Sequence, residues 1–141
     1  MHVDEILFLE LDDAVRAHAR GLEDFGGRPG TLDLRLVESA MMAPQAGRYP
    51  SLAAIAVAYC YGIAKNHGFE DGNKRAGLIV AGTFLRVHGF PLQLGKGWAD
   101  DVERAVDGKI TRDDLIGLFT AAMGGDPITI DYDDVGPRIE L

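Results

Sequence analysis

Two apolar segments joined by a short charged one constrain the fold of this chain more than any other feature. The first, residues 52–64, contains no charged side chain, and the second covers about residues 73–88. Both are apolar on nearly every side of a helix, and helices of that kind are buried. The uncharged run is too short to span a bilayer. The sequence therefore predicts two central core helices with a polar loop between them.

Helical periodicity dominates the rest of the chain. Apolar residues at three- and four-residue steps predict four further helices. Their ranges are about 4–20, 33–43, 98–106 and 111–123. Ser51 is a good N-cap for the first apolar helix, and Thr111 with Asp114 matches an acidic capping box. We therefore expect an all-α fold.

Length and composition indicate one globular domain with a short acidic end. A chain of 141 residues fits a single domain, and 47% hydrophobic residues exclude a disordered profile. We predict the domain over residues 1–125 and an acidic tail over residues 126–141. Within the tail, Ile128, Ile130 and Tyr132 alternate with polar residues, which predicts an extended segment.

The charge balance excludes several classes of partner. A net charge of −8 argues against nucleic-acid binding, which needs cations to neutralise phosphates. The acidic start, MHVDEILFLE, lacks the basic residues of a secretory signal, and no basic patch suited to a membrane surface is present. The single Cys60 cannot form an internal disulfide. We therefore expect a cytoplasmic protein without nucleic-acid or membrane partners.

The charged segment between the apolar helices reads HGFEDGNKR and ends at Arg75. Lys74 and Arg75 fall in the first turn of a helix, where the helix dipole disfavours cations. A bound anion reverses this effect, because the dipole, the free N–H groups and both cations then attract it. A plain helix–loop–helix corner explains Asp71 and Asn73 as caps but leaves the two cations unexplained. The pattern therefore indicates a phosphate site, in which Arg75 can hold two oxygens at once.

The preceding residues supply the other parts of a phosphoryl- or nucleotidyl-transfer site. Asp71 is a hard oxygen ligand of the kind that holds Mg²⁺ together with substrate phosphates. Gly72 leaves room for a phosphate beside the backbone. Histidine can be neutral at physiological pH, so His67 can accept a proton from an attacking hydroxyl. Asn73 either caps the helix or binds loop carbonyls.

The run HGFEDGNKR resembles the motif of the Fic/Doc (death-on-curing) family, HxFx(D/E)(G/A)N(G/K)R. The resemblance extends to GGRPG at 26–30, LVESAMMAPQ at 36–45 and FLRVHGF at 84–90, and it covers about residues 3–123. It implies an all-α fold with the motif between two central helices. It also implies a flap near residues 45–49 that aligns the target segment, which we expect to be a short β-hairpin or loop.

The resemblance further implies transfer from ATP, with Mg²⁺, onto a protein hydroxyl. It makes His67 the catalytic base and Asp71 the metal ligand. The ATP phosphates would be bound by the next four residues, Gly72, Asn73, Lys74 and Arg75.

Two positions favour the Doc-type branch. Fic AMP-transferases usually carry Gly at the position of Lys74 and a second Arg where this chain has Leu78. Doc-type toxins resemble this chain at both points, and they are understood to transfer the γ-phosphate to elongation factor Tu and stop translation. Gly72, in contrast, is the residue that AMP-transferases usually have at this position. AMP transfer is therefore an alternative, and a non-catalytic nucleotide- or partner-binding module is another.

The internal inhibitory helix of some AMP-transferases, (S/T)xxxE(G/N), has no match in the sequence. None of the seven Glu residues has Ser or Thr four places before it. The chain therefore resembles forms held in check by a separate antitoxin, a small Phd-like protein that folds its C-terminal segment onto the toxin.

Overall fold

Six α-helices make up most of residues 1–133, the part of the chain that the computed structural model describes. They are α1 (Leu11–Phe25), α2 (Leu34–Ala46), α3 (Leu52–Asn66), α4 (Asn73–Val87), α5 (Lys96–Val106) and α6 (Arg112–Ala122). The described residues form isolated β-bridges but no strand, which confirms the all-α prediction. None of these helices combines the length and the apolarity that a membrane span needs.

Helix α3 lies at the centre of the bundle, as its apolar sequence predicts. It packs against α2, α4, α5 and α6, and eleven of its fifteen residues are buried. The Ser51 hydroxyl accepts a hydrogen bond from the Ala54 N–H at 3.2 Å, so the predicted N-cap is confirmed. Burial raises the pKa of the Cys60 thiol to about 12, which makes this residue a packed apolar group rather than a nucleophile.

Helices α3 and α4 approach closely at Gly77. A Cβ atom on Gly77 would lie 2.5 Å from the carbonyl oxygen of Cys60, closer than packed atoms can come. The glycine therefore sets the separation of the two helices that carry the charged loop.

Substitution of Gly77 by Ala is expected to lower the free energy of unfolding by about 2 kcal/mol, because the backbones must move apart. Urea unfolding measures the change. Gly117→Ala is the matched control, since that helical glycine has nothing within 4 Å of a built Cβ. The control should gain about 0.5–1 kcal/mol from helix propensity alone. Equal stability of Gly77→Ala and the wild type would contradict the packing argument.

The first helix starts later than periodicity predicts, and the predicted start at Asp4 was wrong. Helix α1 begins after Glu10, whose N–H donates to the Asp13 carboxylate at 2.8 Å in a capping box. A short 3-10 helix, Val3–Glu5, is followed by a non-helical segment in which the Leu9 N–H donates to the Tyr59 hydroxyl at 2.9 Å. A tertiary hydrogen bond thus replaces the helical one that local periodicity favours.

Of the two alternatives expected near residues 45–49, a short β-hairpin or a loop, the structure has a loop, which begins after Ala46. Helix α2 continues through Pro44 to Ala46. Proline removes one helical hydrogen bond, but Pro44 is buried on the inner face of α2, and its packing favours continuation of the helix. The segment after α2 instead forms a bridge from Ser51 to Thr129.

The two ends of the described chain pair through their backbones. The Val3 N–H donates to the carbonyl of Asp131 at 2.9 Å. Ile130 packs into the core and is only 6% exposed. Thr129 and Asp131 form the isolated bridges of the predicted extended segment, whereas Ile128 has a left-handed backbone with φ 53°. Residues 134–141 lie outside the described part of the chain.

Candidate active site

The charged loop between α3 and α4 surrounds a cavity of about 360 Å³. This volume lies within the range of small-ligand sites. All six residues predicted to form the site line the cavity, together with two others. The lining residues are Ala64, His67, Glu70, Asp71, Gly72, Asn73, Lys74 and Arg75.

His67 ends helix α3 in the left-handed backbone region, with φ 53°. Histidine adopts this conformation more readily than most residues other than glycine. The turn places the His67 side chain at the wall of the cavity, where it is exposed. A substrate hydroxyl can therefore reach the imidazole.

The loop between α1 and α2 holds the charged loop in place. The N–H groups of Leu32 and Asp33 both donate to the carbonyl of Gly68, at 2.9 and 3.0 Å. In return, the Glu70 N–H donates to the carbonyl of Gly30 at 3.0 Å. The glycine-rich segment that resembles the family therefore supports the motif directly.

The Asp71 carboxylate is fixed by two backbone N–H groups. Arg28 donates to one oxygen at 3.0 Å, and Gly72 donates to the other at 2.9 Å. These hydrogen bonds favour the charged form and hold the pKa of Asp71 below its ordinary value of 3.8. Asp71 is therefore ionised at neutral pH, and each oxygen keeps a lone pair for another ligand.

The N-terminus of α4 provides an anion site. Gly72 is the N-cap, in the left-handed region at φ 77°, and no side chain of the described residues caps the helix. The first N–H that bonds back within the helix is that of Ala76, to the carbonyl of Gly72 at 2.9 Å. The N–H groups of Asn73, Lys74 and Arg75 donate to no other described residue, so they can bind an anion, and the helix dipole favours one.

Asn73 uses its side chain to close the loop. Its Oδ1 accepts from the Phe69 N–H and its Nδ2 donates to the Phe69 carbonyl, both at 3.0 Å. This is the second of the two alternatives that the sequence left open, binding of the loop backbone. What Asn73 can offer a phosphate is its backbone N–H.

The two cations of the motif reach toward different helices. The Lys74 ammonium lies 3.3 Å from the Glu103 carboxylate of α5. The Arg75 guanidinium stacks over the ring of Phe25, at 3.9 Å from the ring centroid, in a cation–π contact. Both residues line the cavity, and their charged groups contact side chains that are not among its lining residues.

His18 is a site residue that sequence reasoning missed. Its Nε2 lies 2.7 Å from the Asp71 carbonyl oxygen, and its ring stacks on Phe69 with 3.8 Å between centroids. Only 7% of His18 is exposed. The available signal was a polar residue on the apolar face of α1, and such a residue needs a hydrogen-bond partner when buried.

The donor groups fit Mg²⁺ held jointly with phosphates. Within residues 1–133, no group of three His, Cys, Asp or Glu side chains could hold a metal ion. Asp71 supplies one ionised carboxylate next to the anion site of α4. Mg²⁺ is commonly bound by one or two carboxylates plus substrate phosphates and water, so a magnesium–nucleotide complex suits this arrangement.

A larger cavity, of about 550 Å³, lies along α1 and α4 and contains none of the six predicted site residues. Among the described residues, its lining contains arginine and aspartate side chains but no histidine that could take a hydroxyl proton. The side-chain chemistry, rather than cavity size, therefore assigns the candidate site to the charged loop.

Comparison with known proteins shows the family of this chain. The Fic/DOC family model matches residues 8–85, which is more than half of the chain and includes the whole charged loop. The chain belongs to the Fic/DOC family. This Fic/DOC protein is also similar to a curated protein named Toxin Doc from Mycolicibacterium smegmatis. The two are 36% identical over 105 residues, which cover 71% of this chain and 75% of the relative.

The family match covers α1 to α3 and nearly all of α4. It therefore includes Phe25, His18 and the loop that holds the motif. Glu103, the partner of Lys74, lies in α5 outside the matched range.

Proposed function

We propose that this Fic/DOC protein is a Doc-type toxin that transfers a phosphoryl group from ATP, with Mg²⁺, to a protein hydroxyl. Elongation factor Tu is the expected target, and a separate Phd-like antitoxin is the expected partner. One observation carries the proposal: exposed His67, ionised Asp71 and the uncapped N-terminus of α4 surround a single cavity. Similarity to Toxin Doc supports the same reading.

Each predicted site residue has its own role in the proposed phosphoryl transfer. His67 takes the proton of the target hydroxyl on a ring nitrogen as the hydroxyl oxygen forms a bond to phosphorus. The bond from phosphorus to the leaving nucleotide oxygen breaks, so that ADP is released. Asp71 would hold Mg²⁺, which neutralises phosphate charge when bound. The N–H groups of Asn73, Lys74 and Arg75 bind phosphate oxygens, with help from the two cationic side chains.

Two side chains favour phosphoryl transfer over AMP transfer. Leu78 is only 5% exposed and packs into the core, where AMP-transferases usually present a second arginine. No second guanidinium is therefore available at that position to hold a phosphate. Lys74 lines the cavity at the position where those enzymes usually have glycine. Gly72 alone favours AMP transfer.

A labelling experiment tests the proposal. Purified protein is mixed with Mg²⁺, bacterial lysate and ATP labelled on either the α- or the γ-phosphate. We expect label on a protein from γ-labelled ATP only. Arg75→Ala should abolish it, whereas Arg86→Ala, further along the same helix, should not. Label from the α position would establish AMP transfer. Binding of ATP without labelling would identify a non-catalytic module.

A further inference from the structure

We propose that His18 is a positioning residue for Asp71. The proposal rests on the function proposed above, in which the Asp71 carboxylate binds Mg²⁺ beside the ATP phosphates. His18 lies on α1, far from the motif in sequence, and it contacts the motif only through the fold. Its role is to fix the peptide that carries the carboxylate.

The first contact is a hydrogen bond between α1 and the motif loop. His18 Nε2 lies 2.7 Å from the carbonyl oxygen of Asp71. A carbonyl oxygen can only accept, so Nε2 must carry the hydrogen and donate it. A short hydrogen bond in a partly buried place holds its acceptor firmly, because breaking it leaves the buried His18 N–H without a partner.

The second contact fixes the orientation of the ring. The imidazole stacks on Phe69 with an angle of 3° between the planes and 3.8 Å between the centroids. Phe69 is itself buried, so it gives the stack a rigid base. The Nε2 edge of the ring lies near Gly72, where a built Cβ would be 3.7 Å from Nε2. The stack therefore fixes the plane of the ring, and in this plane Nε2 meets the Asp71 carbonyl.

With these contacts, both the carboxylate and the carbonyl group of Asp71 accept hydrogen bonds. Its carboxylate is held by the N–H groups of Arg28 and Gly72, and its carbonyl is held by His18. The peptide between Asp71 and Gly72 also leads into the N-terminus of α4. Without the histidine hydrogen bond, this peptide is free to turn and to carry the carboxylate away from the position that a metal ion requires. The N–H groups of α4 are held by the helix itself and do not depend on His18.

The test is the dependence of ATP binding on Mg²⁺, measured by calorimetry on the full chain. His18→Phe keeps a flat ring for the stack but has no N–H to donate. We expect it to need about tenfold more Mg²⁺ for tight ATP binding, the factor that one hydrogen bond of this kind can supply. ATP affinity in EDTA should stay within about twofold of the wild type. His18→Gln, whose amide can donate in place of Nε2, should recover most of the loss.

Two outcomes would overturn the proposal. One is an unchanged Mg²⁺ requirement in His18→Phe, and the other is an equal loss of ATP affinity with and without Mg²⁺, which would indicate a general structural defect. His88→Phe is the matched control, because His88 also bonds a backbone carbonyl, that of Phe84, at 2.7 Å. It should lose stability without any change in the Mg²⁺ requirement.

A measurement on the wild type covers the case in which His18→Phe does not fold. Long-range ¹H–¹⁵N spectra report which ring nitrogen carries hydrogen. Hydrogen on Nε2 of His18 is expected, and its absence would overturn the proposal. If the wild type shows no Mg²⁺-dependent ATP binding, the proposed function fails and His18 has no metal site to support. If it does show such binding and His18→Phe matches it, only the role of His18 fails.

Discussion

Replacement of His67 by Ala is expected to lower the rate of label transfer from γ-labelled ATP by about 1,000-fold. General bases contribute about 100- to 10,000-fold to transfers of this kind, and His67 is the residue placed to take the hydroxyl proton. ATP affinity should change by less than about twofold, since the phosphate-binding N–H groups of α4 are untouched. Initial rates and calorimetry on the same preparation separate the two effects.

The backbone at His67 requires its own control. Alanine is strained at φ 53°, so part of any loss in His67→Ala comes from the turn itself. Asparagine tolerates the left-handed region but cannot act as the base. His67→Asn should therefore fold as well as the wild type and lose as much activity as His67→Ala. Substantial activity in His67→Asn would contradict the catalytic role.

Expression in bacteria tests the same prediction in cells, by its effect on growth. The wild type should arrest growth and His67→Ala should not. If both are harmless, the toxin function is wrong. If both arrest growth equally, the cause is not catalysis by His67.

Replacement of Asp71 by Asn is expected to lower the transfer rate by about 100-fold at the Mg²⁺ concentration that suits the wild type. The amide has no negative charge for the metal, and its NH₂ group cannot accept a backbone N–H as the carboxylate does. Raising the Mg²⁺ concentration should recover part of the activity. A Mg²⁺ dependence equal to that of the wild type would contradict the assignment of Asp71.

Asp114→Asn is the matched control for loss of a hydrogen-bonded carboxylate. Asp114 accepts the Thr111 N–H at 2.9 Å in the capping box of α6, outside the candidate site. Backbone hydrogen bonding lowers its pKa too, with the Thr111 N–H as the main cause. The control variant should unfold more easily than the wild type and transfer label at the same rate.

The lowered pKa values also determine the pH range in which the Asp71 and Asp114 carboxylates stabilise the fold. Because the pKa of Asp71 and that of Asp114 lie below 3.8 in the folded chain, their contribution to stability is complete above that pH. It is lost as the pH falls through the lowered values. The stability difference between each Asn variant and the wild type should therefore be constant from pH 7 to 5 and shrink below about pH 4. Thermal unfolding across this range measures it.

The features that could be predicted from the sequence are local ones. The central position of α3 follows from its apolar residues on every side, and the capping box of Thr111 with Asp114 follows from three-residue spacing. The wrong start of the first helix has a non-local cause, since the Leu9 N–H bonds the distant Tyr59 hydroxyl. Local periodicity holds no information about such a partner.

The same distinction between local and non-local features applies to the candidate site. Six of the eight residues that line the cavity could be predicted because they are nearly contiguous and because two cations at a helix N-terminus need an anion. Their supports could not, because His18, Phe25 and Glu103 reach the motif only through the packing of α1 and α5 against α4. The sequence therefore predicts the reacting groups better than the contacts that orient them.

The backbone pairing of Val3 with Asp131 has a consequence for how long the folded molecule persists. The two residues are separated by nearly the whole described chain. Closing so large a loop costs chain entropy before any hydrogen bond compensates it, so this contact forms after the helices have packed. Interactions made after the folding barrier slow unfolding without speeding folding. The pairing of the chain ends therefore lengthens the lifetime of the native state. Because proteases cleave the unfolded chain, it also lengthens the time for which the protein resists proteolysis.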